Sequence, residues 1–461
     1  MTKLFIQAAL ASLLIPLCAS ANAEQTDQQI ISLNDAISLA QQNDPWLHSS
    51  RLKQSAVEHQ SVAAGTLADP KVSIGMMNLP TDGWDFAQEG MTQFKVGVSQ
   101  MFPRGDSLAI KSAQLKTSAQ QFPLQREDRH AQLTQLISKL WLEAYLAQRT
   151  IALINQDRVL FEQMAQIAKA NYSNAIGKTR QQDVIRAQLE IIQLEDRLTV
   201  EQQKLDTALE RLNEWLQLFS VDSLDDLQSL KAATLPIVLP NELPKITLAY
   251  AQQLKPTAYK RSEAVTLLLN HPALRAIDVK HQVSKKAIEL TEQQYKPQWG
   301  VNASYGYRDD MPSGSSRADL FSIGVSFDLP LFTENKQDKQ VAAAVAESEA
   351  IKTDKYVMLK QMLSELEKEL AQLQRLSERQ ALYKQQLIEQ THHQAEAALT
   401  AYTNDDGDFS DVVRARITEL NANIAALKID VDALKSVAKI NYLLTQSNHS
   451  VAEQTNQQGD Q

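Results

Sequence analysis

Four aspartates, Asp405, Asp406, Asp408 and Asp411, lie within seven residues of one another and are followed by Arg414. Carboxylates so crowded repel, and the arrangement is costly unless water or a cation holds it. Repeated around a symmetry axis they would form an acidic ring, the usual device of a cation-favouring entrance. As a solvated loop they need no ligand at all. An earlier segment carries the same frame. Tyr172 and Gly177 precede Asp183-Val184-Ile185-Arg186-Ala187, as Tyr402 and Gly407 precede Asp411-Val412-Val413-Arg414-Ala415. The two glycines suit left-handed helix C-termini. Asp183 and Asp411 suit the first turn of a returning helix, where a cap or the dipole favours a carboxylate.

Other chemistry-bearing residues lead elsewhere. His392 and His393 are adjacent, and neighbours on a helix diverge by about 100°, so a shared metal is not expected. Met76, Met77, Met91 and Met101 offer soft sulfur. Methionine is also a common packing residue, which is the stronger reading here. No Gly-x-Ser-x-Gly, His-Glu-x-x-His or phosphate-binding loop occurs. No enzyme, cofactor or resident metal is predicted.

The elements that must position the acidic tips repeat. Asn43-Asp44-Pro45-Trp46-Leu47 returns as Asn270-His271-Pro272-Ala273-Leu274, a constant 227 residues on. Pro70 returns as Pro297 and Pro103 as Pro330. Phe94-Lys95-Val96-Gly97-Val98-Ser99 returns as Phe321-Ser322-Ile323-Gly324-Val325-Ser326. The chain is read as a tandem duplication, with a first repeat over 24–235 and a second over 236–446.

Within each repeat two segments alternate with period two, predicting strands at about 71–78 and 92–101, then 298–307 and 320–329. Val72, Ile74 and Met76 fall on one face, as do Phe94, Val96 and Val98. Trp299 to Tyr307 and Phe321 to Leu329 continue the pattern. The opposite face is small or polar. Lipid outside and water inside would produce this alternation, and so would a water-soluble sheet with one buried face. Turn residues Asn78, Pro80 and Gly83, then Pro312 and Gly314, join each pair.

Long helical hairpins are predicted over about 107–228 and 335–446. An unbroken run of 107–173 would reach roughly 100 Å at 1.5 Å per residue. Pro123 should interrupt the first run, whereas 335–403 holds no such breaker. Val413, Ile417, Leu420, Ile424, Leu427, Val431 and Leu434 form a heptad seam, as do Leu205, Leu209, Leu212 and Leu216 more briefly. A plain coiled coil would explain those seams alone. Prolines 236, 240, 244 and 256 mark a linker, and the polar tail 447–461 is predicted to be disordered.

The N-terminus reads as an export signal over 1–23. Lys3 is followed by an apolar stretch, and Ala21-Asn22-Ala23 offers a cleavage site before Glu24. Cys18, the only cysteine, lies within that segment, and Leu17 before it disfavours lipidation. A net charge of −9 without a basic cluster argues against nucleic acid.

Together these residues resemble the TolC-type outer-membrane efflux family. The duplicated hairpin order, the Asn-x-Pro-x-Leu openings and the Tyr-x(4)-Gly…Asp-Val-x-Arg-Ala tips carry the likeness. The resemblance implies a mainly α fold with a membrane β-barrel portion. In it a homotrimer closes a twelve-stranded β-barrel that continues as a long α-helical barrel through the periplasm. It implies a passive exit duct in the outer membrane of a Gram-negative bacterium, served by a periplasmic adaptor (membrane fusion) protein and an inner-membrane pump of RND type. Asp183, Asp405, Asp406, Asp408, Asp411 and Arg414 would form the periplasmic gate, and the grooves at Gly177 and Gly407 would receive the adaptor. Ala68-Asp69-Pro70 and Gln100-Met101-Phe102-Pro103 are similar to the heavy-metal branch, so metal cations are the expected cargo. Drugs or type I secreted proteins are the alternative, and a non-transporting coiled-coil scaffold is a further one.

Overall fold

In the computed structural model, which describes residues 29–173, 181–217, 237–255, 258–404 and 406–448, both Asn-x-Pro-x-Leu motifs open helices. The expected export signal, Gly177, Asp405, Pro236, Pro256 and residues 449–461 lie outside the described residues. In chain order the elements are β1 (Gln29–Ile30), α1 (Leu33–Gln42), α2 (Pro45–Ala63), β2 (Lys71–Met77), β3 (Gln93–Phe102), α3 (Ser107–Ala119), α4 (Gln121–Ser173) and α5 (Gln181–Leu216). They continue as β4 (Ile237–Val238), α6 (Arg261–Leu269), α7 (Pro272–Glu292), β5 (Trp299–Tyr307), β6 (Leu320–Phe327), α8 (Gln337–Leu382), α9 (Ile388–Thr403) and α10 (Phe409–Leu443).

Pro45 and Pro272 sit at the first helical positions, where a missing N–H costs nothing. The caps differ. Asp44 Oδ1 accepts the Trp46 N–H at 3.1 Å, and Arg129 Nε closes on Asp44 Oδ2 at 2.7 Å. In the second copy the cap is His271, whose Nδ1 accepts the Ala273 N–H at 3.2 Å. Its other ring nitrogen meets the Tyr442 carbonyl at 3.0 Å. Those partners require a neutral ring with the proton on Nε2, and burial pushes the His271 pKa down to about 4.

The long helices depart from the expected run in two places. The first breaks at Gln120, and Pro123 lies in the opening turn of α4, where the ring fits. The second does not run unbroken to 403 as expected. A single π turn, Tyr383–Leu387, separates α8 from α9. It adds a residue to one turn and widens the backbone, which no proline or glycine in the sequence announces. The 53-residue α4 alone spans about 80 Å.

The heptad seam of α10 faces the first repeat. Val413 and Leu420 pack with Ile154, Phe161 and Leu194, while Val431 joins Leu140, Trp141 and Leu212. The described part of the linker is anchored at its start. Ile237 and Leu239 are buried in that second cluster, and β4 pairs parallel with β1. Trp141 is fully buried, stacks on Tyr145 at 5.5 Å and donates its indole N–H to the Ile31 carbonyl at 3.2 Å. Ser447, expected at the start of a disordered tail, is instead held in place. Ser447 Oγ donates to Glu127 Oε2 at 2.6 Å, and its N–H bonds the Asn270 carbonyl at 3.0 Å.

The four longer strands form one antiparallel sheet in the order β2-β3-β5-β6. Val72 lies opposite Val98, Ile74 opposite Val96, Val96 opposite Tyr305, and Tyr305 opposite Phe321. The register therefore brings every large apolar residue of the alternation onto one face. That face is bare: Ile74 is 68% exposed, Phe321 71% and Ile323 72%. A self-contained water-soluble sheet would bury this face, and within this chain it stays exposed. The other face holds Ser73, Gly97, Ser304 and Ser322 in one row. It is tightly drawn: a Cβ at Gly300 would come within 2.6 Å of Met101 Sδ. Among the described residues no helix is long and apolar enough to cross a membrane.

The duplication is slipped within the sheet. Val98 faces Val72, but its repeat counterpart Val325 faces Val301, two residues beyond the position the sequence offset gives. An even slip leaves every side chain on its own face. Below the sheet the two halves are pinned together. Arg104 pairs with Asp328 and donates to the Lys296 carbonyl at 2.8 Å, and Gln298 N–H donates to Asp328 Oδ1 at 2.7 Å. At the opposite end Arg317 ties the two hairpin loops, donating to the Glu89 and Ala87 carbonyls at 3.1 Å each.

Candidate functional site

At the far end from the sheet, α9 stops at Thr403 and α10 starts at Phe409. The bend is closed by the Asp406 N–H, which donates to the Ala401 carbonyl at 3.0 Å, the six-to-one bond of a Schellman-type end. Gly407 was expected to be the left-handed residue there, and it is not. Among the described glycines only Gly105 and Gly314 have positive φ. Gly407 instead permits close approach, since a Cβ would stand 3.0 Å from both Ala401 Cβ and Tyr402 N.

Asp408 occupies the N-cap position in extended backbone but makes no side-chain cap bond. Asp411 and Asp183 lie in the first turns of α10 and α5, the modest role their positions predict. Arg414 Nη1 reaches Asp411 Oδ1 at 3.2 Å, three residues back on the same helix. Both side chains are exposed, so the pair contributes about 0–1 kcal/mol. Asp406, Asp408 and Asp411 are all exposed. Among the described residues no group of three His, Cys, Asp or Glu is placed to hold a metal ion. His392 and His393 diverge, the first toward Glu419 at 2.7 Å and the second toward Glu389 at 3.6 Å.

Two features of the tip escaped the sequence reading. Phe409, just inside α10, is buried and meets Tyr402 edge-on at 5.5 Å. It joins Phe161, Ala187 and Val413, which fastens the second hairpin to the first. About two turns on, Arg416 is only 13% exposed and bonds Glu419 Oε2 at 2.9 Å and Glu396 Oε1 at 2.5 Å. Burial opposes its charge, yet these carboxylates hold the guanidinium above its usual pKa. Asp157, on α4, faces the same group. Burial, and then the charge of Glu419, push Asp157 up to about 6, with Arg416 opposing. No sequence motif joins Asp157 to Arg416, because the contact exists only once the two repeats pack.

Asp157 carries a pH signature. The folded carboxyl holds its proton up to about 6, and the ordinary value is 3.8. Between those values the folded chain binds more protons than the unfolded one. This contribution is therefore complete below about pH 3.8 and lost as pH rises through 6. Asp157→Asn is expected to melt above the unaltered protein at pH 7.5 and to lose that advantage near pH 4. Melting followed by circular dichroism across pH checks it, and a pH-independent difference would count against the assignment.

These geometries have counterparts. Residues 264–446 match the family described as outer membrane efflux protein. The fold of the chain matches the outer-membrane channel OprN with a TM-score of 0.71 and 16% identity over 90% of each chain. It matches VceC of Vibrio cholerae at 0.70 and 16%, over 90% of this chain and 96% of that one. The second half of the chain thus carries the signature of the outer membrane efflux protein family, and the fold of the chain is that of these outer-membrane proteins. CusC, whose structures describe transmembrane channel formation, is similar at a TM-score of 0.69 and 13% identity, over 90% of this chain and 92% of CusC. No curated protein matches the chain in sequence. OprN is described as an outer-membrane channel and VceC as an outer membrane protein.

Proposed function

We propose that three copies of this channel close one barrel and form the exit duct of a tripartite export apparatus, with heavy-metal cations as cargo. The observation that carries the duct is the sheet: one exposed apolar face and two free edges, β2 and β6, on a single chain. Open edges are not tolerated in lipid, where only closed barrels satisfy every backbone group. The mature chain would comprise the two repeats, released from the signal over 1–23. A periplasmic adaptor would grip the tips at Gly177 and Gly407, and an RND-type inner-membrane pump would supply the energy.

The gate in this reading is the tip, where Asp183, Asp405, Asp406, Asp408, Asp411 and Arg414 gather around the trimer axis. Fixed negative charge there favours cations. The metal cargo is supported by Ala68-Asp69-Pro70 and Gln100-Met101-Phe102-Pro103 at the ends of β2 and β3. Sensitivity of a deletion strain to copper, cobalt, zinc or cadmium, without sensitivity to dyes and antibiotics, is the expected result. The reverse pattern would replace metals with drugs as cargo. In planar bilayers, Asp406→Ala with Asp411→Ala is expected to weaken block by divalent cations. Unaltered conductance and block would remove the acidic ring from the mechanism.

A further inference from the structure

The sheet's free edges specify how neighbouring copies join, not merely that they do. Within the chain the joint between hairpins is β3 on β5, with Phe102 opposite Trp299 and Phe94 opposite Tyr307. The corresponding joint between copies is β6 on β2. The string Phe-x-x-Gly-Val-Ser places β6 227 residues after β3. The pairing places β5 two residues further from β2 than that, since Val72 and Val301 hold equivalent places opposite Val98 and Val325. Transferring the β3–β5 joint through these equivalences fixes one register.

We infer that β6 of one copy pairs antiparallel with β2 of the next so that Phe327 lies opposite the partner subunit's Val72, Val325 opposite the partner subunit's Ile74, and Ile323 opposite the partner subunit's Met76. The inference rests on the trimer reading. Three independent features agree with it. The two strands overlap over six residues, Val72 to Met77 facing Phe327 to Ser322, with Lys71 meeting Asp328 just past the end of β6. The lumen face gains a charge pair, Lys71 against Asp328, with Ser73 against Ser326 and Gly75 against Gly324 below it. Beyond the strands, Phe332 arrives at Leu67. Those two are the loose ends of the single chain: Phe332 is 90% exposed and Leu67 51%, with Leu331 at 72% and Val62 at 71% beside them. Apolar groups left this bare next to a free edge mark an interface. The occupant is a second copy, because the same strand edge carries both.

The competing register follows the sequence offset alone and sets Leu329 opposite the partner subunit's Val72. It keeps the faces, but leaves Lys71 against Pro330, which has no N–H to give, and Phe332 against Asp69. The two differ by two residues, about 7 Å along a strand, and a disulfide tolerates only about 4.4–6.8 Å between Cα atoms. Cys18, the one cysteine, falls in the expected export signal, so paired cysteines meet no other thiol in the processed protein. Val72→Cys with Phe327→Cys is expected to give a reducible covalent dimer and trimer ladder on oxidation, and Val72→Cys with Leu329→Cys to give none. Leu67→Cys with Phe332→Cys, outside the sheet, should give the same ladder without disturbing strand pairing. Crosslinking at Leu329 instead, equal crosslinking at both, or linkage only within one chain overturns the register. So do heat-modifiable oligomers that crosslink at neither Phe327 nor Phe332. Absence of oligomers from the unaltered protein overturns the trimer itself.

Discussion

Ile323→Arg is expected to keep the protein out of the outer membrane, while Ser322→Arg, one residue away, is expected to insert and conduct. Ile323 stands mid-strand on the apolar face and is 72% exposed. An arginine facing lipid at mid-bilayer depth costs about 2–4 kcal/mol, and in a trimer each copy bears it. Ser322 belongs to the row of Ser73, Gly97 and Ser304 on the opposite face. There an arginine meets water and adds positive charge to the bore. Outer-membrane fractionation with heat-modifiable mobility checks the first variant. For the second, reversal potentials in bilayers should move toward anion preference. Equal insertion of both would mean that the apolar face does not meet lipid.

Arg129→Ala is expected to cost about 3–5 kcal/mol, the penalty for stranding a buried partner. The Asp44 side chain is 2% exposed, and Arg129 reaches it at 2.7 Å. The guanidinium also lies over Trp46 at 5.7 Å and Trp215 at 5.2 Å, so its removal loosens packing as well. The second repeat supplies an internal control. At the offset of 227, His271 stands for Asp44 and Tyr356 for Arg129. A neutral cap needs no counter-ion, and the second repeat provides none at that position. Asp44→Asn combined with Arg129→Ala should therefore recover much of the loss, the non-additivity expected of a coupled pair. Thermal melts of the three variants check it, and strict additivity would show the pair to be incidental.

The strands were legible because their alternation is local. Val72, Ile74 and Met76 need only their own segment to declare a face. What lay beyond reach was everything set by partners far along the chain. The two-residue slip between hairpins depends on which backbone groups meet, not on which side chains repeat. The π turn at Tyr383–Leu387 has no sequence signature. Helices α2 and α7 were signalled by Asp44-Pro45 and His271-Pro272, an N-cap followed by proline, but the motif was read as a repeat marker rather than as a helix start. Gly407 was misjudged because glycine near a helix end usually supplies a left-handed residue, whereas here it supplies clearance for Ala401 and Tyr402. At the tip, the exposed Arg414 drew notice because it repeats, while the half-buried Arg416 two residues on does the packing.

The break at Gln120 and the π turn at Tyr383 have a mechanical consequence. Counted from where α3 and α8 leave the sheet, the first lies about 20 Å down and the second about 70 Å down, at 1.5 Å per residue. The soft joints of the two repeats are thus staggered by about 50 Å. In the tube proposed above, whose wall would alternate the two kinds of stave, no single girth would gather all of them. Such a cylinder resists snapping at a waist and yields instead by gradual leaning of staves against their neighbours.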